Sequence, residues 1–256
     1  MAAKAFFLDG RYCLYHAPQG SCRGAFVYLH PFAEEMNKSR RMAALQARAL
    51  AAIGYGVLQV DLHGCGDSDG DFAEARWEQW QADVGAASAW LHDRLGQPVG
   101  LWGLRLGALL ALDYARSHPV AQLLLWQPVL AGAAFLTQFL RLRVAGDMLA
   151  DEAPASGTKQ LRAQLSAGQR LEIAGYMLAP ELAAAIDALD AANLAPACPV
   201  HWFEIIAAPD RPLPPALGRI AWNTQPVHKV ACAPFWSTQE IAECPQLIEA
   251  TCAALA

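Results

Sequence analysis

The sequence predicts an α/β fold: a doubly wound, mostly parallel sheet with an N-terminal β-hairpin and a helical insertion. Three observations carry that prediction. Short apolar runs alternate with longer segments of helical period, as strand–helix–strand units do. Two apolar runs flank Asp9–Gly10, the strongest short-range hairpin signal. The alternation then stops after Pro128 and resumes only at Val200. With 256 residues, the chain reads as one domain spanning 1–256, with the insertion at about 129–195.

Taken in order, Gly24–Leu29 is an uncharged run expected as a buried strand. Asn37–Ala52 follows as a helix, with Asn37 or Ser39 as N-cap and Gly54 past its end. Tyr55–Leu62 is a second strand, and Glu74–Leu95 a helix carrying Trp77, Trp80, Val84 and Leu91 on one side. Val99–Trp102 is a third strand. An Ala/Leu-rich helix runs from there to Arg116, and Gln122–Trp126 makes a fourth strand. The insertion is helical in composition, apolar over Val129–Leu149 and polar over Asp151–Arg170. It reads equally as a lid over a pocket mouth or as extra core helices. Strand patterning returns at Val200–Ile206 and Val227–Cys232, separated by a rigid Pro209–Pro215 loop, and a helix over Gln239–Leu255 ends the chain.

Composition narrows the function. Apolar residues make up 55% and charged ones 17%, which suits a large core and excludes a disordered chain. A net charge of -5 without a long basic run argues against nucleic-acid binding. Arg40–Arg41 and Arg141–Leu142–Arg143 read as solvated helix faces. The seven cysteines (Cys13, Cys22, Cys65, Cys198, Cys232, Cys244, Cys252) form no C-x-x-C pair. They suit reduced thiols in a cytoplasmic protein better than a disulfide framework or a zinc site. The N-terminal apolar run is too short for a signal peptide, and no transmembrane segment is expected. Neither a metal nor a cofactor is expected. His16, His92 and His118 read as surface or helix-end groups.

The segment Val99–Leu110 has a specific shape. Apolar strand residues lead into Gly103–Leu104–Arg105–Leu106–Gly107, and a helix follows. This is the small–x–X–x–small pattern of a nucleophile elbow, in which flanking glycines let a sharp strand-to-helix turn present one side chain. Here that side chain is Arg105, whose guanidinium stays protonated and cannot attack a carbonyl.

Together with Leu29–His30–Pro31–Phe32 after one strand and Asp61–Leu62–His63–Gly64–Cys65–Gly66–Asp67–Ser68 after the next, the elbow makes the chain resemble the α/β-hydrolase superfamily. Three segments, His30–Arg41, Trp102–Gly107 and Pro234–Trp236, also resemble the exosortase A system-associated hydrolase 2 family. That resemblance implies a bacterial protein working beside the exosortase/PEP-CTERM sorting system and its exopolysaccharide genes, and implies no particular substrate.

A Ser-His-Asp triad cannot be assembled from the expected positions. The nucleophile position holds Arg105, the acid position after the penultimate strand falls on Asp210, and the stretch Ala233–Ser237 has no histidine. His201 and His228 begin their strands, and His201 stands roughly 16 Å from the acid loop at ~3.3 Å per residue. His30 and His63 follow strands at their carboxyl ends. His30 is expected to brace the oxyanion loop, and His63 either packs in the Gly-rich turn or takes part in catalysis. Cys65 is a packed thiol or, paired with His63, an alternative nucleophile. Asp67, Asp69 and Asp71 lack calcium-loop spacing and are expected to cap turns, Asp67 tying down its loop.

Oxyanion donors would be the backbone N–H groups of Phe32 and Leu106. With Arg105 and the helix N-terminus they would form an anion site for a carboxylate, phosphate or acyl group. Alternatively Arg105 pairs internally with Asp210, Glu34 or Glu35, since an unpaired buried guanidinium is costly. Glu34, Glu35 and Trp236 are expected to line the pocket. The expected partners are a small anionic ligand or a protein of the exosortase/exopolysaccharide system.

Overall fold

The chain opens with β1 (Lys4–Leu8) and β2 (Arg11–His16), paired antiparallel across Asp9–Gly10. Both turn residues have positive φ, 47° and 76°, the two-residue turn that matches strand twist. Next come β3 (Gly24–Leu29), α1 (Glu34–Ala52), β4 (Tyr55–Val60), α2 (Trp77–Leu95), β5 (Val99–Leu104), α3 (Leu106–Ser117) and β6 (Leu123–Trp126). The insertion holds α4 (Gly132–Leu149), α5 (Thr158–Ser166), a small hairpin of β7 (Leu171–Ile173) and β8 (Tyr176–Leu178), and α6 (Pro180–Asp187). β9 (Val200–Ile206), β10 (Val227–Ala231) and α7 (Pro245–Ala253) follow. This computed structural model describes residues 3–149 and 157–255. No described helix is long and apolar enough to cross a membrane.

Eight strands form one sheet in the order β1-β2-β4-β3-β5-β6-β9-β10. Every pairing from β4 to β10 is parallel, and β1 and β2 add an antiparallel edge. β3 and β6 are buried along their whole length, as strands covered on both faces must be. One apolar layer joins Val27, Leu29 and Leu101 to α2 and α3. The other joins Phe26, Tyr28, Trp102 and Trp126 to α1 and α7. Strand order reverses between β3 and β5, so their following segments leave toward opposite faces. That reversal opens a crevice at their carboxyl ends, where open α/β sheets place ligands.

Several boundaries differ from expectation for identifiable reasons. α1 starts at Glu34 rather than at Asn37, because Ala33 (φ 51°, ψ -129°) turns the chain sharply into the helix. Asn37 therefore sits inside α1 and bonds Glu34 and Tyr176, while the Ser39 hydroxyl donates back to the Met36 carbonyl. α2 begins at Trp77, behind a separate 3-10 turn at Phe72–Glu74. α7 starts at Pro245, since the residue before a proline is disfavoured in helical conformation.

The insertion is not purely helical. The Ala174–Gly175 turn, at positive φ in both residues, folds β7 onto β8. Of the polar stretch Asp151–Arg170, residues 151–156 lie outside the described ones. His16 is buried and bonds Gln59 at 2.9 Å instead of lying at the surface. Arg40 and Arg41 are engaged rather than simply solvated, pairing with Asp61 and Glu243.

Two glycines set the approach of α3 to β3. A Cβ at Gly107 would lie 2.2 Å from the Leu29 carbonyl oxygen, and one at Gly103 2.5 Å from the backbone of Ala108. Backbone cannot swing aside as a side-chain end can. Gly107→Ala is therefore expected to cost about 3 kcal/mol, the upper end of overpacking, read as a shifted urea midpoint at unchanged slope.

Candidate functional site at the turn after β5

Arg105 joins β5 to α3 with φ 56° and ψ -115°. Positive φ in a non-glycine residue stores about 1–3 kcal/mol and persists only where the surroundings over-determine it. Here they do. The Arg105 N–H donates to the Trp126 carbonyl at 3.0 Å, and its own carbonyl accepts from Ala108, Leu109 and Val129. The residue thus occupies the elbow tip at the switch point between β3 and β5.

The side chain meets one carboxylate and one indole. Arg105 Nε and Nη2 each donate to Oε1 of Glu35 at 3.4 Å, long for a charge-assisted bond. Arg105 is 18% exposed and Glu35 23%. Oε2 of Glu35 is sealed from solvent and has no hydrogen-bond partner among the described residues. Burial pushes the Glu35 carboxyl above its ordinary range, and Arg105 pulls it partly back. On the other side, the guanidinium carbon lies 5.4 Å from the ring centroid of Trp236, within cation–π range. Trp236 belongs to the loop after β10, where a triad histidine would stand, and packs with Phe235. An arginine–indole contact thus joins the turn after β5 to the loop after β10.

A second acid lies deeper. Glu204, 2% exposed in β9, accepts from Trp202 Nε1 at 2.8 Å and from Gln127 Nε2 at 2.9 Å. Burial raises its carboxyl, opposed by those two bonds and by the charge of Arg105. It is missing from the sequence expectations. A lone charge in the otherwise apolar run Trp202–Ile206 is the signal that marks it.

The remaining expected residues fall as follows. Asp210 is exposed in the turn beyond β9 and has no bond to Arg105 among the described residues, because the chain leaves the crevice after Ile206. Of the three acids weighed as its partner, Glu35 holds the guanidinium. Glu34 instead accepts from Asn37 Nδ2 at 3.1 Å and from the Tyr176 hydroxyl at 3.2 Å.

His30 is buried. Its Nε2 accepts from Leu62 N–H at 3.2 Å, so the proton sits on Nδ1 and is donated to the Pro31 carbonyl at 2.8 Å. Burial lowers its pKa, keeping the ring neutral, and it braces the loop from inside. His63 is held by its backbone, with its N–H on Asp83 and its carbonyl on Trp80, and its ring lies against Gly70. Cys65 is buried with its thiol pKa pushed far up, mainly by burial, which leaves no thiolate for attack. Asp61, not Asp67, ties down the following loop: its Oδ2 accepts from Asp67 N–H at 3.1 Å and from Arg40 at 2.9 Å. Asp67 itself is exposed.

Phe32 and Leu106 border one small void together with His30 and Gly107. Their N–H groups have no acceptor among the described residues; Phe32 stands just before α1 and Leu106 opens α3. A separate cavity of about 180 Å³ shares Phe32 with that void. Its walls are Phe32, Phe135, Phe139, Leu142 and Tyr176, with Arg105, Glu34, Glu35 and Gln138 as the polar groups. Phe32 sits edge-on to Phe135 and Phe139 at 5.6 and 4.9 Å, so the roof from α4 meets the floor through aromatic contact. Chemically, the cavity offers one cation, one under-bonded carboxyl and an apolar lining, with the Phe32 backbone at its edge.

The family model for serine aminopeptidase, S33 matches residues 20–176. Among solved structures, the chain is similar to Est1E from Butyrivibrio proteoclasticus with bound ferulic acid, at 15% identity, covering 99% of this chain and 98% of that one, with a TM-score of 0.70. It is similar to alpha/beta hydrolase domain-containing protein 10 from mouse at 15% identity, with 100% and 98% covered and a TM-score of 0.62. A third likeness is to an alpha-beta serine hydrolase homologue from Coxiella burnetii at 15% identity, with 100% and 99% covered and a TM-score of 0.60. No curated protein matches.

Arg105→Leu tests the pairing. It leaves Glu35 without its cation, at an expected cost of about 1–3 kcal/mol near neutral pH. The folded-state pKa of Glu35 then rises further above its unfolded value. The penalty is therefore full at alkaline pH and fades as pH falls through that value and the carboxyl takes a proton. Melting temperatures of both proteins, measured across pH, should converge toward the acid side.

Proposed function

The chain belongs to the serine aminopeptidase, S33 family, and from that premise we propose that it uses its α/β-hydrolase fold to bind an anionic ligand rather than to cleave an ester or peptide. The observation that carries this reading is Arg105 at the elbow tip, its charge held between Glu35 and Trp236. Acyl transfer needs an attacking group with an adjacent base. Here the tip is a permanent cation, the base position is an indole, and the nearby Cys65 and His30 are sealed in structural roles. What supports negative charge there is a pair of N–H groups without an acceptor among the described residues, that of Phe32 just before α1 and that of Leu106 at the start of α3. A guanidinium added to those donors converts a transition-state binder into a ground-state anion binder.

The setting we propose is the exosortase A/PEP-CTERM and exopolysaccharide system. It rests on the resemblance of His30–Arg41, Trp102–Gly107 and Pro234–Trp236 to the hydrolase 2 family of that system. There the protein would act on an acyl or sugar-acid intermediate, or on a protein partner, by holding it.

Incubation with p-nitrophenyl acetate and butyrate, and with a fluorophosphonate probe, separates binding from turnover. Neither ester cleavage above buffer nor labelling is expected. Arg105→Ser alone should restore no more than trace activity, for want of a histidine. Turnover by the native protein that disappears in Cys65→Ala or His63→Ala would instead establish an active hydrolase built from a non-standard constellation.

A further inference from the structure

We propose that the cavity over Arg105 takes a compact monocarboxylic acid of about single-ring size, and that Glu35 accepts one proton as the ligand's carboxylate displaces it from the guanidinium. The inference rests on the anion-binding reading above and adds the ligand class and its linkage to protons.

The Arg105–Glu35 contact is poorly made for a permanent ion pair. Both of its hydrogen bonds fall on one oxygen, Oε1, and both are 3.4 Å long, whereas a bidentate pair would use two oxygens at 2.7–2.9 Å. The second oxygen, Oε2, is sealed from solvent without a donor among the described residues. An ionised carboxylate wants several donors, so Glu35 is supported in that form mainly by the guanidinium. Burial already favours its neutral form. Any anion that takes the guanidinium away removes the one group holding Glu35 ionised.

The groups around Glu35 do not replace that cation. From the turn after β5 comes Arg105 alone, with Glu204 behind it. From the β7–β8 hairpin comes the phenol of Tyr176, which is bonded to Glu34 on α1 and whose own pKa is raised, chiefly by burial. α4 contributes Gln138, which carries no charge, and the loop after β10 contributes Trp236. The exchange balances in charge: one carboxylate enters, one solvent proton settles on Glu35, and the net charge of the site stays the same.

Size and lining set the rest of the ligand. The cavity holds about 180 Å³, and a cavity of about 150 Å³ lined by apolar side chains accommodates benzene. Phe32, Phe135 and Phe139 present ring faces and edges to that space, so a ring or equally compact apolar body is matched there. The carboxylate then points to Arg105, which shares the cavity wall with Phe32 and Glu35. A phosphate would leave the apolar chamber empty, and a long acyl chain would exceed it.

Isothermal titration of the full chain with benzoate and phenylacetate, from pH 5 to 8.5, tests the proposal. Saturable binding is expected, weakening about tenfold for each pH unit above the Glu35 value, the slope of a single linked proton. Repeating the titration at one pH in Tris and in imidazole counts protons from the difference in heat, with no variant needed; about one taken up per ligand is expected. Glu35→Gln keeps the shape and removes the competing charge, so it should bind more tightly at pH 8 and lose the slope. Binding that needs Arg105 but shows no pH slope and no proton uptake overturns the Glu35 linkage and leaves the anion-binding reading intact. Binding unchanged in Arg105→Leu, or no binding of either acid by the native protein, overturns this inference; the first result overturns the anion-binding reading as well.

Discussion

The geometry of this site descends from one steric constraint, the near-contact between α3 and the strand beside it. Gly103 and Gly107 let the elbow backbone pass within van der Waals limits of Leu29 and Ala108. Three N–H groups converging on the carbonyl of residue 105 then hold its strained φ. With the backbone so determined, whichever side chain stands at 105 is thrust into the crevice between β3 and β5. The scaffold therefore fixes the position of the group and leaves its chemistry to the residue. Here that group is the guanidinium of Arg105.

Charge inside the crevice is arranged around that address. One permanent cation faces two partly or fully buried carboxyls, and burial raises both. Glu204 is satisfied by Trp202 and Gln127, each bonding a different oxygen, so it can remain in the wall of the sheet. Glu35 has no such support on its second oxygen. The asymmetry separates a structural acid from an exchangeable one, and it rests on hydrogen-bond counts rather than on distance from Arg105. Trp236 completes the arrangement by offering a ring face to the cation, which attracts it without a second negative charge.

Much of the fold was legible because its signals are local. β3 and β9 span the expected residues, since an uninterrupted apolar run needs no long-range information to read. The Asp9–Gly10 turn likewise declares itself by residue type. The elbow was legible through its glycines, and Arg105 by its place between them. What escaped the sequence was set by tertiary geometry. Nothing in Ala33 announces a positive φ, so the start of α1, and with it the position of Glu35 in the first turn, was misplaced. Three-residue strands are too short to show alternation, which hid the β7–β8 hairpin. Asp210 drew attention by its sequence position, yet the chain turns outward there. Glu204 was overlooked because a charge inside a strand pattern tends to be discounted.

That overlooked hairpin has a consequence for kinetics. Tyr176 stacks edge-on against Phe72 at 5.2 Å and bonds Glu34 and Asn37 on α1, bridging the insertion to the rim of the crevice. Tyr176 thus ties one wall of the cavity to α1. The short hairpin is therefore the part of the insertion whose local opening would loosen that wall first, since strands of three residues carry few ladder bonds.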